Sequence, residues 1–383
     1  MTTSPTTTGI TITYAIAATG ADALARAMDI CVEQTVEFPP ALVPDALRQA
    51  VVGGIHSLRP LGLGSTEAVI SFPVDTVGGE LTQFLNVLFG NISLKPGLRV
   101  ERIDLPPAFL ATFRGPRFGG AGLRSLVGAG ERPLLCTALK PMGLSAGDLA
   151  DLAYRFALGG IDLIKDDHGL ADQRFAPFDE RVVRCAEAVA RANNETGYRC
   201  LYLPNVSAPA DRLVDRARAA KRAGAGGLLV APGLVGWDGM RLLAEDDDLG
   251  LPILCHPALL GSFVAAPDSG LSHHVLFGQL PRLAGADASI FPNWGGRFSF
   301  SREACRSIAA GAAAAMGPLR PLLPAPGGGM GLDRIPEMLE DYGNDVILLI
   351  GGALHESGAG IVDSCRRFRE LTSECRSFPA TRP

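Results

Sequence analysis

The sequence has neither an excess of basic charge nor a long apolar run. Its 383 residues carry a formal net charge of −5, which removes the electrostatic basis for binding nucleic acid or an anionic membrane. No stretch approaches the ~18 uninterrupted apolar residues that a membrane-spanning helix needs. The first nine residues, MTTSPTTTG, lack the basic region and apolar core of a secretory signal. We therefore expect a short disordered lead-in and a cytoplasmic protein with no nucleic-acid or membrane partner.

Closely spaced cysteine pairs are also lacking. The eight cysteines include no C-x-x-C pair and no zinc-ligand spacing, and several lie inside apolar runs. Such cysteines are typical of buried, reduced thiols in a cytosolic protein. Hydrophobic residues, by contrast, make up 47% of the chain. This composition is sufficient for a large core, and the length suggests two or three domains.

A repeated pattern begins at about Leu134, in which a short β-rich run ends in polar residues or glycine and a helical stretch follows. Eight such strands alternating with helices indicate a (β/α)8 TIM barrel. An open doubly wound sheet is the rival, but no strand is followed by a G-x-G-x-x-G helix start. The predicted strands are Leu134–Lys140, Ile161–Asp167, Arg199–Val206, Gly227–Ala231, Pro252–His256, Ala288–Pro292, Pro321–Ala325 and Asp345–Ile350. The predicted helices are Ala146–Ala157, Phe178–Thr196, Ala208–Ala223, Trp237–Glu245, Ser272–Ala284, Ser301–Met316 and Gly331–Tyr342.

The first 125 residues have a different pattern and predict a small ferredoxin-like α+β domain, so residues 126–383 would form the barrel. Glycine and proline interrupt the segment Phe113–Gly120, which is the expected connection. The predicted strands here are Ile10–Ala17, Glu67–Phe72 and Leu98–Asp104, and the predicted helices are Gly20–Cys31 and Leu81–Phe89.

The most informative stretch is Gly159–His168, an apolar run that ends in a lysine, two aspartates and a histidine. Side chains alternate along a strand, so Lys165 and Asp167 should share one face. Charged groups near a core must be solvated, paired or metal-bound. A plain ion pair at a solvent-exposed strand end is one interpretation. A site with hard oxygen ligands for a magnesium-like cation is the other.

Further polar groups follow other predicted strands, at the end of the barrel where barrel enzymes have their active sites. Lys140 and His256 are candidates for proton transfer. The glycine turns after the last two strands present backbone N–H groups that suit a phosphate. Taken singly, these could be an ion-paired lysine, a core histidine and an ordinary turn; their joint placement at one end of one barrel favours a functional site.

These residues resemble a known family. The small α+β domain, the barrel, Lys140-Pro141 and the block Gly159–Asp167 are similar to ribulose bisphosphate carboxylase (RuBisCO) large chains, and more so to the RuBisCO-like proteins called form IV. The resemblance implies that CO2 carbamylates Lys165 and that the carbamate, Asp167 and the next residue, His168, bind Mg²⁺. It also implies that Lys140 handles substrate protons and that His256 contacts substrate.

The resemblance implies an intersubunit site as well. Glu33 and Asn91 match segments that reach the active site from a neighbouring subunit, so a homodimer is expected. The remaining residues that the resemblance assigns to a phosphorylated small-molecule substrate are Asn293, Arg297, Gly328, Gly329, Gly351 and Gly352.

Several departures from the family pattern argue against ribulose bisphosphate carboxylation. His168 stands where the family usually has a glutamate ligand, and imidazole is softer than carboxylate. Met142 replaces a second lysine, and Pro257 replaces an arginine that binds phosphate in the carboxylases. Arg297 lies at about the place of the lysine in the mobile loop, and a guanidinium does not substitute for an amine.

The shared half-reaction remains, in which a metal polarises a carbonyl and a base redirects a proton to give an enolate. Our first hypothesis is decarboxylation, or transcarboxylation and hydrolysis, of 3-oxo-isoapionate 4-phosphate. The alternative is an enolase or isomerase acting on a methylthio-sugar phosphate in methionine salvage. A non-catalytic homologue is the third hypothesis.

Overall fold

The N-terminal domain is built on a five-stranded sheet. The computed structural model describes residues 9–356 and 360–374, so the expected lead-in lies largely outside the described residues. Ile10–Ile16 pairs antiparallel with Ser65–Phe72 on one side and Leu98–Asp104 on the other. The edge strand Gly54–Gly62 was not predicted, because its Gly- and Pro-containing sequence lacks a clear apolar alternation. The opposite edge, Gly270–Leu271, comes from the second half of the chain and joins the two parts.

The helices of this domain cover the sheet with their apolar sides. In Gly20–Glu33 the buried residues Ala23, Ala27 and Ile30 recur at helical spacing. The other helices are Asp45–Val51, Leu81–Phe89 and Pro107–Leu110, and short 3-10 turns lie at Pro40–Leu42, Val74–Thr76 and Asn91–Leu94.

Eight parallel strands form the predicted TIM barrel, and we number them barrel strands one to eight. Strands eight, one, two and three are hydrogen-bonded in that order, as are strands four, five, six and seven. A bridge between Asn205 and Leu229 joins strands three and four, and strand seven contacts strand eight. In chain order the strands are Leu134–Leu139, Leu163–Asp166, Leu201–Leu203, Leu228–Val230, Ile253–Cys255, Ala288–Pro292, Leu323–Gly327 and Ile347–Leu349.

The barrel helices follow their strands, as the pattern predicted. The described α-helices are Ala146–Leu158, Phe178–Thr196, Leu213–Arg222, Pro232–Val235, Trp237–Glu245, Leu280–Leu283, Arg302–Ala313, Ile335–Tyr342, Ala353–Glu356 and Ile361–Glu374. Short 3-10 turns lie at Ala210–Arg212, Gly261–Phe263 and Leu332–Arg334. No helix within residues 9–356 and 360–374 is long and apolar enough to cross a membrane.

One predicted helix has a different form. Part of Ser272–Ala284 is a π-helix, His274–Gln279. Gly278 packs directly on Gly311 of the next helix, where an added Cβ would lie 2.7 Å from the Gly311 Cα. The His274 ring also lies 3.0 Å from the Ser307 carbonyl oxygen. This close packing accommodates the wider turn, a tertiary effect that the apolar pattern does not encode.

The helix Gly119–Val127 lies across the domain boundary predicted at residue 125. Its buried Leu123 and Val127 share a core cluster with barrel residues such as Leu134. We therefore propose that the boundary lies ahead of this helix, in the connection Phe113–Gly120. The seven cysteines within the described residues are buried and unpaired, as expected, and Cys375 lies outside those residues.

Candidate active site

One cavity of about 830 Å³ opens at the carboxyl ends of the barrel strands. Of the residues predicted to form the site, the three that do not line this cavity are Glu33, Asn91 and Asn293. The ten that do line it are Lys140, Lys165, Asp167, His168, His256, Arg297, Gly328, Gly329, Gly351 and Gly352. The structure therefore brings together the groups that the barrel pattern placed at strand ends.

Barrel strand two presents alternate side chains to the cavity and to the surrounding helices. Lys165 and Asp167 face the cavity, as predicted. Asp166 between them is fully buried and accepts hydrogen bonds from the Tyr202 hydroxyl at 2.7 Å and from Arg181 Nε at 3.2 Å. These hydrogen bonds hold the end of the strand on its helix-facing side, because losing one of the donors would leave a buried charge without its partner. The aspartate was visible in the sequence, but its two partners are distant in the chain.

The loop after strand two is held by an asparagine. Asn205 Nδ2 donates to the carbonyl oxygens of His168 at 3.0 Å and Leu170 at 2.9 Å. The backbone N–H of Asn205 donates to Asp166 at 3.0 Å. One residue at the end of strand three thus fixes both the last carboxylate of strand two and the turn that carries His168.

The surroundings disfavour the charged form of Lys165 and favour the charged form of Asp167. Lys165 is 3% exposed, and burial lowers the pKa of its amine below the ordinary value. Burial raises the pKa of Asp167, but His168, Lys140 and Lys165 outweigh this and hold the carboxyl well below its ordinary pKa. Asp167 Oδ1 lies 3.2 Å from Lys140 Nζ and 3.3 Å from His168 Nδ1. Neither contact has hydrogen-bond geometry, so this buried oxygen keeps an unused lone pair.

These donors fit a magnesium ion once Lys165 is carbamylated. Within the described residues no three His, Cys, Asp or Glu side chains gather as a metal site. Asp167 and His168 are two potential ligands, and an unmodified Lys165 would add a cation. A carbamate converts that amine into an anionic oxygen ligand, and it forms from the neutral amine that burial favours. The unused oxygen of Asp167 is the kind of hard donor that Mg²⁺ takes.

Lysine is rare in this chain, and its placement supports the same interpretation. The sequence contains four lysines, Lys95, Lys140, Lys165 and Lys221, among 35 basic residues counted as Lys and Arg. Two of the four line the cavity. Arginine supplies charge elsewhere, whereas carbamylation and proton transfer need an amine. Lysine scarcity was a signal in the sequence that could have strengthened the site prediction.

His256 is a neutral hydrogen-bond donor. Its Nδ1 accepts a hydrogen bond from the Ala258 N–H at 3.1 Å, which places the ring proton on Nε2. Burial, together with Lys165 and His168, lowers the pKa of His256 to about 2. Its ring stacks on His168, with centroids 4.4 Å apart. His256 can therefore donate to a substrate oxygen but does not carry a second proton.

Glycine turns after barrel strands seven and eight also line the cavity. Gly328 and Gly329 have φ values of 91° and 95°, which side chains rarely adopt. A Cβ on Gly329 would lie 2.8 Å from Arg297 Cγ. At Gly351 and Gly352 an added Cβ would meet open space, so a ligand can approach the backbone there. These features suit an anion near the Arg297 guanidinium.

Apolar side chains occupy the cavity near strands five and six. Phe277 and Phe300, which we call the aromatic pair, have ring centroids 5.7 Å apart. His273 packs edge-on against Phe300 at 4.4 Å. Pro257 follows His256 on the same side of the barrel. The sequence analysis did not single out the aromatic pair, because Phe277 lies in the π-helix and Phe300 lies in the loop after strand six, so that no local pattern links them.

Comparison with known proteins decides the family. The family model described as "Ribulose bisphosphate carboxylase large chain, catalytic domain" matches residues 121–295. The chain is 42% identical, over 94% of its length and 96% of the relative's, to ribulose bisphosphate carboxylase-like protein 1 of Rhodopseudomonas palustris. The chain belongs to the RuBisCO-like proteins. The resemblance found in the sequence is confirmed.

Two further proteins are similar to this chain over nearly its whole length. The 5-methylthioribulose-1-phosphate isomerase of Rhodospirillum rubrum is 44% identical, covering 93% of this chain and 94% of the relative. The crystal structure of a RuBisCO-like protein from Rhodopseudomonas palustris has a TM-score of 0.88 and 38% identity, covering 98% of this chain and all of that one. The fold prediction is thereby confirmed. The wider RuBisCO family generally uses Mg²⁺ with a carbamylated lysine.

Glu33 and Asn91 lie together, away from the cavity of their own chain. Asn91 Nδ2 donates to Glu33 Oε1 at 3.2 Å, and Lys95 Nζ lies 3.3 Å from Glu33 Oε2. Neither side chain contributes to the lining of that cavity.

Proposed function

We propose that this RuBisCO-like protein isomerises a methylthio-sugar phosphate, as a 5-methylthioribulose-1-phosphate isomerase does. The observation that carries the proposal is the composition of one cavity, which is lined both by glycine turns suited to a phosphate and by the aromatic pair. The name of the 44% identical relative supports it. The sequence alone ranked 3-oxo-isoapionate 4-phosphate first, and these two observations favour the alternative.

The aromatic pair suits a methylthio group better than a carboxylate. Burying an apolar group there gains free energy, and sulfur makes favourable contacts with aromatic rings. A sugar acid would need a cation or several N–H donors for its carboxylate. Phe277, Phe300 and Pro257 supply no such group to that part of the cavity.

Asp167, His168 and carbamylated Lys165 would hold Mg²⁺. When bound, the ion supplies Lewis-acid polarisation of the substrate carbonyl. The glycine turns and Arg297 bind the phosphate.

Lys140 is the proton carrier of this proposal. Its amine is partly exposed, lines the cavity and lies beside Asp167. An isomerisation takes a proton from the carbon next to the carbonyl and returns one to a neighbouring carbon, so one base that becomes an acid suffices. His256 Nε2–H donates to the oxygen on which negative charge develops. Glu33 and Asn91 of a neighbouring subunit complete the site.

Turnover in D2O tests the proposal. The protein is incubated with 5-methylthioribulose 1-phosphate, Mg²⁺ and bicarbonate, and the product is followed by NMR. We expect an isomer with deuterium at the reacting carbon. Lys140→Ala should abolish it, whereas Lys221→Ala, on a surface helix, should not. Parallel reactions use 2,3-diketo-5-methylthiopentyl 1-phosphate and 3-oxo-isoapionate 4-phosphate.

The parallel substrates decide between the alternatives. Turnover of the diketone alone would make the protein an enolase. Loss of CO2 or carboxylate from the 3-oxo sugar acid alone would restore the first hypothesis from the sequence. No reaction with any of the three would favour the non-catalytic homologue.

A further inference from the structure

The loop after barrel strand six, residues 293–300, is one wall of the cavity and is attached to the neighbouring glycine turn. We call it loop six. Its Arg297 and Phe298 line the cavity. The Asn293 N–H donates to the Gly327 carbonyl at 2.8 Å, and the Arg297 N–H donates to the Gly328 carbonyl at 2.9 Å. Loop six and the turn after strand seven therefore form one continuous surface.

A buried carboxylate holds loop six from behind. The Asp341 side chain is 0% exposed. It accepts hydrogen bonds from the Trp294 indole N–H at 2.7 Å, from Arg302 Nε at 2.8 Å and from Arg306 Nη2 at 2.8 Å. Burial raises the pKa of Asp341, but these donors outweigh that effect and hold the pKa below its ordinary value, which favours the ionised carboxylate. We call these four side chains the Asp341 network.

Neighbouring contacts immobilise the same loop. The Arg302 and Arg334 guanidinium groups lie 4.9 and 4.6 Å from the Trp294 ring centroid. Arg334 Nη1 also donates to the Gly295 carbonyl at 3.3 Å. The Tyr342 hydroxyl, next to Asp341 on the helix Ile335–Tyr342, donates to Asn293 Oδ1. Two consecutive helix residues thus hold the first two residues of the loop.

The Asp341 network does not line the cavity, and loop six presents one charged group to it. Asp341, Trp294, Arg302 and Arg306 are absent from the cavity lining. Arg297 lines it and, among the described residues, has no carboxylate partner; its guanidinium lies 5.6 Å from the Phe298 ring centroid. A long side chain gains most from a fixed backbone when it must meet a ligand in one place.

We propose that Asp341 is a positioning residue for anion binding. By holding Trp294, it fixes loop six so that the Arg297 guanidinium meets an anion seated on the glycine turn of strand seven. The inference rests on the proposed function only in taking that anion to be the phosphate of the substrate.

The chain offers a spectroscopic test, because it contains two tryptophans. In a Trp237→Phe background, Trp294 is the sole tryptophan and reports on the loop itself. Asp341→Asn removes the charge that Arg302 and Arg306 neutralise. We expect a red-shifted Trp294 emission and stronger quenching by acrylamide. Asp363→Asn, on an exposed ion pair with Arg366, is the matched control and should change neither.

Binding of inorganic phosphate, measured by calorimetry, is the second readout. Losing one guanidinium–phosphate contact should weaken binding roughly tenfold. We expect this loss in Asp341→Asn and in Arg297→Ala, with the Trp294 signal changed only in the former. The double variant should lose no more than Arg297→Ala alone, since both changes act on one contact. With substrate, KM should rise more than kcat falls.

Each outcome decides the inference. If Asp341→Asn changes the Trp294 signal but not the phosphate affinity, the Asp341 network has only a structural role. An unchanged Trp294 signal would also overturn the inference. So would a wild-type protein that binds no phosphate. If Asp341→Asn does not fold, Trp294→Phe removes the same hydrogen bond and should weaken phosphate binding. The proposed function is judged separately, by turnover. If the wild type is an isomerase but Asp341→Asn changes neither the Trp294 signal nor phosphate binding, only the present inference fails. If Asp341→Asn changes both but the wild type has no isomerase activity, only the proposed function fails.

Discussion

At the scale of single residues, the amine of Lys165 has an environment that an ordinary ion pair does not require. It is buried beside the acidic Asp167, yet burial lowers the pKa of the amine. A lowered pKa increases the share of the neutral amine, which is the form that reacts with CO2. The resulting carbamate would supply the third metal ligand in the proposed site, beside Asp167 and His168. The plain ion pair at a solvent-exposed strand end, considered from the sequence, accounts for neither the burial of Lys165 nor the lowered pKa of its amine.

A carbamate on Lys165 is directly observable. Under ¹³C-labelled bicarbonate and Mg²⁺, we expect a carbamate carbon signal in the protein NMR spectrum, and the few lysines keep the spectrum simple. Lys165→Ala should remove the signal and lower Mg²⁺-dependent turnover roughly 10³-fold, the size of a lost electrostatic contribution to the transition state. Lys221→Ala should retain both. A signal that survives in Lys165→Ala would place the carbamate elsewhere.

The aromatic pair makes a prediction about specificity. Phe277→Ala removes apolar surface next to the methylthio group, so KM for 5-methylthioribulose 1-phosphate should rise roughly tenfold. Ribulose 1-phosphate, which has a hydroxyl group in place of the methylthio group, should be affected much less. Steady-state kinetics on both substrates measures the difference. Phe175→Ala, outside the cavity, serves as the control, and equal losses on the two substrates would contradict the role of the pair.

At the scale of elements, Asp287 ties the connection between the domains to the barrel. It lies just before strand six and accepts hydrogen bonds from the backbone N–H groups of Phe118 and Gly119, both at 2.7 Å, and of Ile253 at 2.9 Å. One buried carboxyl group thus joins the start of the helix Gly119–Val127 to strand five. Burial raises its pKa to about 6 despite these donors.

This raised pKa predicts a pH-dependent contribution to stability. The folded protein binds the Asp287 proton more tightly than the unfolded chain does. The corresponding stabilisation is fully present below about pH 4 and is lost as the pH rises through about 6; it amounts to about 3 kcal/mol at most. Urea unfolding should therefore show that Asp287→Asn costs more free energy of unfolding at pH 4.5 than at pH 7. Exposed Asp268→Asn should show no such difference, and a pH-independent cost in Asp287→Asn would refute the assignment.

At the scale of the whole molecule, the proposed function draws residues from two chains. Glu33 and Asn91 bond to each other on the N-terminal domain and do not line the cavity of their own barrel. We propose that, in a two-fold dimer, each N-terminal domain contributes Glu33 and Asn91 to the partner's barrel. This arrangement is the simplest one that gives both residues the catalytic role proposed for them.

Mixed dimers test this arrangement. Lys165→Ala inactivates the barrel, and Glu33→Ala inactivates the N-terminal contribution, so each homodimer should be inactive. Co-expressed in equal amounts, the two chains should recover roughly a quarter of wild-type activity, because half of the dimers then contain one intact site. A chain that carries both substitutions, expressed alone, should be inactive. A fully active monomer of about 40 kDa in gel filtration would contradict the intersubunit site.

The sequence by itself determined the barrel, the two-part organisation and the charged and glycine residues that line the cavity. Strand alternation and the rule that strand ends share one face of a barrel are local regularities, so Lys165, Asp167 and the glycine turns could be placed without coordinates. The side chains of Lys165 and Asp167 share one face, as predicted, although strand two is shorter than predicted and ends at Asp166.

Only the tertiary structure decided what surrounds those residues. Phe277 of the aromatic pair lies in a π-helix, which packs on the next helix through Gly278 and Gly311. Asn293, predicted to bind substrate, is the fully buried first residue of loop six, and its side chain is hydrogen-bonded to Tyr342 and Met330. Asp341 reaches Trp294 across 47 positions of sequence. Such contacts follow from packing between elements distant in the chain, and no local period in the sequence encodes them.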